Sequence, residues 1–240
     1  MHMADALVSP AIGGVMMAAS AGAMVYSVAR MKKDGPGEKK IPVMGVVGAF
    51  VFAAQMINFT IPGTGSSGHI GGGMLLAAML GGPPAYVVMA VVLAIQAFFF
   101  GDGGILALGA NIWNLGFYTC FVVFPLIYKK IMRKGITNKR IFVASIVSVV
   151  AALQMGAFSV VLETLASGVT DLPFALFAGL MQPIHLAIGA VEGVVTAAVL
   201  CYVHRARPEL LESAVRGRPL AGNLKLKRVV AVLAVAAVIA

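Results

Sequence analysis

The sequence predicts an all-α membrane protein, a polytopic bundle of about seven transmembrane helices, and three observations support this fold class. The 240 residues are 60% hydrophobic and only 11% charged, whereas a typical soluble domain has roughly 25% charged residues. All 18 Lys and Arg residues fall into three short stretches, at 30–40, 129–140 and 205–228. Long apolar segments separate these stretches, as membrane spans require. A net charge of +9 distributed in this way argues for cytoplasmic loops and lipid head groups, and against nucleic acid.

Each apolar segment is a candidate membrane span, because a bilayer core needs about 20 apolar residues in helical conformation. Glycine- and proline-rich breaks separate several of them, at 60–73, 81–84 and 101–104. The third candidate is short and glycine-rich, so we expect protein rather than lipid to surround it. The predicted spans are 8–29, 41–58, roughly 67–80, 85–100, 112–128, 141–162 and 174–203.

The basic stretches also predict the orientation, because Lys and Arg concentrate in cytoplasmic loops. If all three stretches are cytoplasmic, seven spans place the N-terminus outside and the region after the last span inside. The segments left outside contain no Lys or Arg, and an acidic face of this kind attracts cations. We therefore expect a multi-pass protein of the cell (inner) membrane. The acidic residues on its outer side are Asp5, Asp102, Glu163 and Asp171.

Two histidines on the predicted outer side indicate a metal site. The α-amine of Met1, the amide nitrogen of His2 and the imidazole Nδ1 of His2 can all reach one ion, in one five-membered and one six-membered chelate ring. Three nitrogens in a plane suit Ni(II) or Cu(II). His69 lies in a glycine-rich segment on the same side and is the candidate fourth ligand. Because protons compete for the amine, amide and imidazole nitrogens, the affinity should fall at low pH.

Several short motifs occur together across residues 1 to about 203: Met1-His2-Met3-Ala4-Asp5-Ala6-Leu7, Asn58, Pro62-Gly63, Ser67-Gly68-His69, Gly71-Gly72, Gln96, Gly101-Asp102-Gly103-Gly104, Ala107-Leu108-Gly109-Ala110-Asn111 and Asn114. In combination they resemble the substrate-binding subunit of cobalt/nickel energy-coupling-factor transporters, the CbiM/NikM family. The resemblance implies a seven-span bundle whose N-terminus is inserted from the outside toward the bundle centre. It also implies an ion held by the Met1 amine, the His2 amide and imidazole, and the His69 imidazole. Met3 and Ala6 depart from the usual Ile and Gly of the family, which leaves the ligands intact.

The resemblance further implies partners and a role. Such subunits bind the ion, while a transmembrane coupling (T) subunit and two cytoplasmic ATPase subunits drive its release into the cell, cobalt serving cobalamin biosynthesis. The sequence contains no phosphate loop of the G-x-x-x-x-G-K-[ST] kind, so we expect no ATP hydrolysis by this chain. We expect a protein that is not an enzyme and has no cofactor, with Ni(II) or Co(II) as the transported ion.

The domain organisation follows from the spans and the resemblance. Residues 1–203 are predicted to form the membrane-embedded metal-binding unit, and 204–228 a basic cytoplasmic segment. Residues 229–240 read as the start of an extra transmembrane helix, cut short by the end of the sequence, of the kind that a fused small accessory subunit would contribute.

Three polar residues are candidates for hydrogen bonds around the metal, because metal-bound imidazoles donate their other N–H to a carboxylate, a carbonyl or water. Helix capping is the alternative role for these side chains. The candidates are Asp102, Asn111 and Asn114.

Two rival functions are compatible with parts of the sequence. Residues 65–68 match a G-x-S-G pattern, so Ser67 and His185 are the candidate dyad of an intramembrane serine protease. A stand-alone cation channel or transporter is the other alternative, but such proteins line a pathway with polar residues. Here most polar groups gather at the outer side. The choice between nickel and cobalt stays open at this stage.

Overall fold

The computed structural model of the protein describes residues 2–33 and 40–217, and within them it is a bundle of helices with a small sheet at one end. The elements are β1 (His2–Met3), a 3₁₀ turn (Asp5–Leu7), α1 (Pro10–Lys33), α2 (Ile41–Gln55), β2 (Phe59–Thr60), β3 (Ser66–Gly68), α3 (Gly73–Leu80), α4 (Gly82–Ile95) with a π-helical continuation (Gln96–Phe100), α5 (Leu108–Ile112) with a π-helical continuation (Trp113–Tyr128), α6 (Lys129–Met132), α7 (Asn138–Ser167), α8 (Phe174–Ala206) and α9 (Pro208–Arg216).

Five helices of the described residues are long and apolar enough to cross a membrane, and they confirm the predicted fold class. They are α1, α4 with its continuation, the uninterrupted helix from α5 to α6 (called helix α5–α6 below), α7 and α8. The apolar helix α2 is shorter, with 15 residues. The predicted span at 67–80 differs most from a regular span, because only its last eight residues, α3, are helical. Every residue of α3 is buried, so protein surrounds it as expected.

Helix α5–α6 runs beside α1 in the same direction. The hydroxyl of Ser20 donates to the carbonyl of Gly109 at 2.6 Å. Further along both helices, the rings of Tyr26 and Phe121 pack with their centroids 5.8 Å apart. Since both contacts advance together along the two helices, their basic ends lie at the same end of the bundle.

The described part of the third basic stretch lies at this end as well. The thiol of Cys201, near the end of α8, donates to the carbonyl of Asn138, the first residue of α7. Helix α9 follows α8 directly and packs against α3 and α8. The described parts of the three basic stretches therefore share one end, as the orientation prediction requires. The predicted extra span at 229–240 lies outside the described residues, and the division into 1–203, 204–228 and 229–240 stays a prediction.

The opposite end carries a three-stranded antiparallel sheet in the order β1-β3-β2. Residue pairing in this sheet places His2 opposite Ser67 and Met3 opposite Ser66. The described part of the chain thus begins with a strand that enters the bundle, and both residues of β1 are buried. This agrees with the prediction of an N-terminus inserted toward the bundle centre.

Candidate metal centre

The imidazoles of His2 and His69 lie side by side beneath the sheet. Their ring centroids are 4.4 Å apart and the rings are tilted by 44°. Each residue is only 3% exposed. The pairing of β1 with β3 produces this contact, because it brings the second residue of the chain next to the residue that follows β3. The structure thus brings together the two histidines that the sequence singled out.

The Nε2 atom of His69 carries an unshared lone pair. Its Nδ1 lies 2.7 Å from the carbonyl oxygen of Ile70, and a carbonyl only accepts, so the proton of the neutral ring is on Nδ1. Within the described residues, Nε2 has no hydrogen-bond partner. Burial away from water holds the pKa of His69 well below its ordinary value. At neutral pH this ring is therefore uncharged, with Nε2 available as a ligand.

The ring of His2 is oriented by a carboxylate. Its Nδ1 lies 3.0 Å from Oδ1 of Asp102, and Asn58 donates to the other oxygen, Oδ2, also at 3.0 Å. Burial lowers the pKa of His2, although the hydrogen bond to Asp102 acts in the opposite direction. The same hydrogen bond is the main reason that the pKa of Asp102 is lowered. His2 is therefore neutral with its proton on Nδ1, and it must give up this arrangement before Nδ1 can bind a metal.

The peptide groups on either side of Met3 are held by three elements. The N–H of Met3 donates to Oδ1 of Asn111 at 2.8 Å, and Nδ2 of Asn111 donates back to the Met3 carbonyl at 3.1 Å. The N–H of Gly104 donates to the same carbonyl at 2.9 Å. The hydroxyl of Ser66 donates to the His2 carbonyl at 3.0 Å. The predicted site residue Asn111 thus contacts the backbone beside His2 rather than an imidazole.

A close backbone approach also keeps the N-terminal segment in place. A Cβ atom added to Gly104 would collide with the backbone nitrogen and the carboxylate of Asp5, so only glycine fits there. The Oδ1 atom of Asp5 accepts a hydrogen bond from the N–H of Ala107 at 3.1 Å. The 101–104 glycine segment that the sequence showed as a break between spans is therefore the wall against which the N-terminus packs.

The third candidate, Asn114, contacts the side chains of Met3 and Glu163. Its Nδ2 donates to Oε2 of Glu163 at 2.7 Å and lies 3.9 Å from Sδ of Met3. The other carboxylate oxygen of Glu163 accepts from Ser159 at 3.0 Å. Glu163 was expected on the acidic outer face, but it is a buried residue within α7. The reason is that Asn114 and Ser159 supply the hydrogen bonds that a buried carboxylate requires.

Glu192 on α8 holds the loop at 69–72. Its two carboxylate oxygens accept from the N–H groups of Gly71 at 2.6 Å and Gly72 at 2.8 Å. Nε2 of Gln55 donates to the carbonyl of Gly71 at 2.6 Å. A lone acidic residue in an apolar span was the available signal, because such a group must find donors. Which donors it finds depends on the tertiary structure.

An open cavity of about 500 Å³ leads to His2. Asp5, Asp102, Ser66 and Ser67 line it, and the described residues of its wall include no Lys or Arg. A cavity lined in this way attracts cations. It lies at the end of the bundle opposite the basic stretches.

The Met1 amine, the other predicted ligand group, lies outside the described residues. Among those residues, no cluster of three or more His, Cys, Asp or Glu side chains is placed to hold one metal ion. A four-coordinate ion at His2 and His69 would thus need ligands other than such side chains, and the main-chain nitrogen atoms predicted from the sequence are candidates.

The predicted protease dyad does not form. Nδ1 of His185 lies 2.8 Å from the carbonyl of Met181, and within the described chain its Nε2 has no hydrogen-bond partner. No hydrogen bond therefore joins Ser67 to His185, and the geometry lacks the contact that activates a serine.

Together the fold and the site define a multi-pass membrane protein with a buried pair of neutral imidazoles, reached from one side. The profile of the CbiM family, described as cobalt uptake substrate-specific transmembrane region, matches residues 2–210. The chain belongs to this family.

Individual relatives of known name support this family membership. A protein of Archaeoglobus fulgidus, provisionally named fused nickel transport protein NikMN, is 34% identical over 237 residues, which are 98% of this chain and 75% of that one. The cobalt transport protein CbiM of Sorangium cellulosum is 29% identical over 174 residues, 71% of this chain and 76% of that one. A crystal structure described as a transition metal transporter is 32% identical, with a TM-score of 0.76, and covers 91% of this chain and all of the other.

These comparisons confirm the predicted family and the multi-pass membrane location. The relatives are transport proteins, so the prediction that the chain is not an enzyme is confirmed, and the protease alternative is wrong.

Proposed function

We propose that this protein is the substrate-binding subunit of an energy-coupling-factor importer and that it binds Ni(II) or Co(II) from the outer side of the membrane. The observation that carries the proposal is the buried contact between His2 and His69, two neutral imidazoles whose Nε2 atoms have no hydrogen-bond partner among the described residues. Imidazole nitrogen suits both ions. The names of the relatives, which refer to nickel and cobalt, support the same choice.

The ion is bound by the amine of Met1, the amide nitrogen and Nδ1 of His2, and Nε2 of His69. Because Nδ1 of His2 faces Asp102, binding shifts the imidazole proton from Nδ1 to Nε2, with solvent in the open cavity as the carrier. The amine and the amide each release a proton as they coordinate. Asp102 then remains beside the ion as a negative charge.

The partners in this proposal are a transmembrane coupling (T) subunit, two cytoplasmic ATPase subunits and a small accessory membrane subunit. Support comes from the closed packing beneath the site. The cavity under Gly71 measures about 10 Å³, which is about the volume of one water probe. An ion needs a rearrangement of the bundle to pass this point, and the ATPases supply the driving force. This favours a binding subunit over a stand-alone cation transporter.

Calorimetric titration of the full chain with an untagged N-terminus tests the site. We expect one Ni(II) or Co(II) bound tightly per chain, and tight binding lost in His2→Ala, in His69→Ala and after insertion of an alanine behind Met1. His204→Ala is the matched control, because His204 lies in the last turn of α8 at the other end of the bundle. Tight binding that survives both His2→Ala and His69→Ala would refute the site.

Vesicle uptake separates the binding subunit from the stand-alone transporter. The purified chain alone in liposomes should bind ⁶³Ni(II) without moving it across the bilayer. Co-reconstitution with coupling and ATPase subunits should produce ATP-dependent uptake. Downhill uptake by the chain alone would support the stand-alone alternative.

A further inference from the structure

Two buried glutamines connect the loop that carries His69 to the loop that carries Asp102. Gln55 is the last residue of α2, and Gln96 is the first residue of the π-helical continuation of α4. Both side chains are 0% exposed. Nε2 of Gln96 donates to Oε1 of Gln55 at 3.1 Å. Polar side chains buried in membrane helices are expensive and usually functional, so this pair calls for a role.

The side chain of Gln55 reaches the loop of His69. Its Nε2 donates to the carbonyl of Gly71 at 2.6 Å, and Gly71 is two residues after His69. A carbonyl only accepts, so the nitrogen of the Gln55 amide faces Gly71 and its oxygen faces Gln96. This oxygen in turn requires the NH₂ group of Gln96. The carbonyl of Gly71 therefore determines the orientation of both amides.

The main chain of Gln96 reaches the loop of Asp102. Its carbonyl accepts from the N–H of Gly101 and from the N–H of Asp102, the latter at 3.1 Å. Oδ1 of Asp102 lies 3.0 Å from Nδ1 of His2. Gln96 is thus connected to His2 through its main chain, and to the loop of His69 through its side chain.

One atom of the pair is unsatisfied, and this points to a role other than stability. Oε1 of Gln96 is buried and has no hydrogen-bond partner within the described residues. Rotating the amide would not help, because a second oxygen would then face Oε1 of Gln55. A buried acceptor without a donor is unfavourable, whereas apolar side chains in place of such a pair are often neutral or stabilising.

We propose that Gln55 and Gln96 are positioning residues for the ion. Together they hold the loop of His69 and the loop of Asp102 at the separation at which His2 and His69 bind one ion. This rests on the function proposed above, since it takes these two imidazoles as ligands. If the bridge between the glutamines opens, the loop of His69 is free to withdraw, and water takes the fourth position of a planar Ni(II) ion.

Gln96→Met is the main test, because it keeps the length of the side chain and leaves the main-chain bonds of Gln96 intact. It removes the unpaired Oε1 of Gln96 and leaves Oε1 of Gln55 unpaired instead. The metal-free melting temperature in detergent should therefore stay near the wild-type value. Residues that orient a ligand contribute about 10–100-fold to affinity, so calorimetric titration of the full chain, with an untagged N-terminus, should show Ni(II) bound about tenfold or more weakly.

The visible spectrum of the bound Ni(II) is a readout that a change in stability alone would not move. In the proposed site four nitrogen atoms surround the ion, and in the variant water replaces the imidazole of His69. Because water is a weaker-field ligand than imidazole, the d–d absorption at saturating Ni(II) should shift to longer wavelength in Gln96→Met. Gln55→Met should give the same shift.

The double variant Gln55→Met/Gln96→Met tests whether the two residues act as one unit. Its loss of affinity should equal that of Gln55→Met to within about twofold, whereas independent residues would give the product of the two losses. Gln154→Met is the matched control. Gln154 and Gln182 join α7 to α8 by donating to each other's main-chain carbonyls at 2.9 and 3.3 Å, bonds that involve neither loop of the site. The control should keep the wild-type affinity and spectrum.

Four results would overturn the proposal. They are wild-type affinity in Gln96→Met, a weaker affinity with an unchanged spectrum, losses of the single variants that multiply in the double variant, and a Gln96→Met chain that does not fold. In the last case the bridge serves stability. The function proposed above fails on a different result, namely tight binding in the wild-type chain that does not depend on His2 and His69.

Discussion

The side-chain amide of Asn111 binds the main chain of Met3 on both sides, accepting from its N–H at 2.8 Å and donating to its carbonyl at 3.1 Å. Both residues are buried, at 2% and 0% exposure. Asn111 therefore acts on the strand as a neighbouring strand would, and it positions the peptide that follows His2. Asn111 is the fourth residue of α5, near the start of helix α5–α6, so the position of β1 is tied to a membrane helix.

Replacing Asn111 by alanine should weaken metal binding without unfolding the bundle. The variant leaves the N–H of Met3 without its acceptor, and a buried unpaired group costs about 1–3 kcal/mol. If this cost falls on the metal-bound arrangement, the affinity for Ni(II) should drop by about 5–150-fold, as measured by calorimetry. Asn138→Ala, at the opposite end, is the control. Unchanged affinity in Asn111→Ala would show that the strand positions itself without this contact.

Metal affinity should rise with pH, and the slope should reveal which groups lose protons. The pKa values of His2 and His69 are lowered, chiefly by burial. Both rings are therefore neutral at pH 7 and release no proton there. The amine, whose ordinary pKa is about 7.7–8.0, and the amide each release one. Log Kd against pH should thus have a slope of about minus two below pH 7.7 and about minus one above it. The measurement is titration in several buffers between pH 6 and 9. A slope near zero would exclude the main-chain nitrogens as ligands.

Asp102→Asn should slow the capture of the ion. The variant removes a negative charge from the open cavity, while its amide oxygen can still accept from Nδ1 of His2. Charged clefts raise association rates by about tenfold or more, and salt weakens the effect. We expect a slower association rate by about tenfold with a shallower dependence on NaCl, measured by stopped flow. Asp171→Asn is the control, because Asp171 is not part of this cavity wall. An association rate that is the same in both variants would argue against a role for this charge.

Glu192→Gln should displace the loop that carries His69. The two oxygens of Glu192 accept from two N–H groups, whereas a glutamine offers one oxygen and an NH₂ group that opposes the second donor. The unpaired donor costs about 1–3 kcal/mol, so we expect a lower melting temperature in detergent and a weaker affinity for Ni(II). Glu212→Gln on α9 is the control. If the melting temperature and the affinity both stay at the wild-type values, the hydrogen bonds from Gly71 and Gly72 are not important for the site.

The long helices could be predicted well from the sequence, and the segment at 67–80 could not. Helix α8 begins at Phe174, the residue at which the apolar segment begins, directly after Pro173. In contrast, the loop before α3 depends on Gly72, whose φ of 69° lies in the left-handed region, and on its contact with Glu192. Apolar composition does not reveal either feature, because the backbone there is held by residues far away in the chain.

The sequence by itself determined the membrane location, the helical fold class and the choice of the two histidines as the candidate site. It could do so because hydropathy and charge are local properties that a bilayer sorts by depth. Only the tertiary structure decided that Asn111 holds Met3, that Asp102 engages Nδ1 of His2 and that Glu163 is buried. These outcomes depend on which polar groups meet across the bundle, and the contact between Met3 and Asn111 joins residues 108 positions apart. In an apolar interior each buried donor must find an acceptor, and the packing of the helices selects which one.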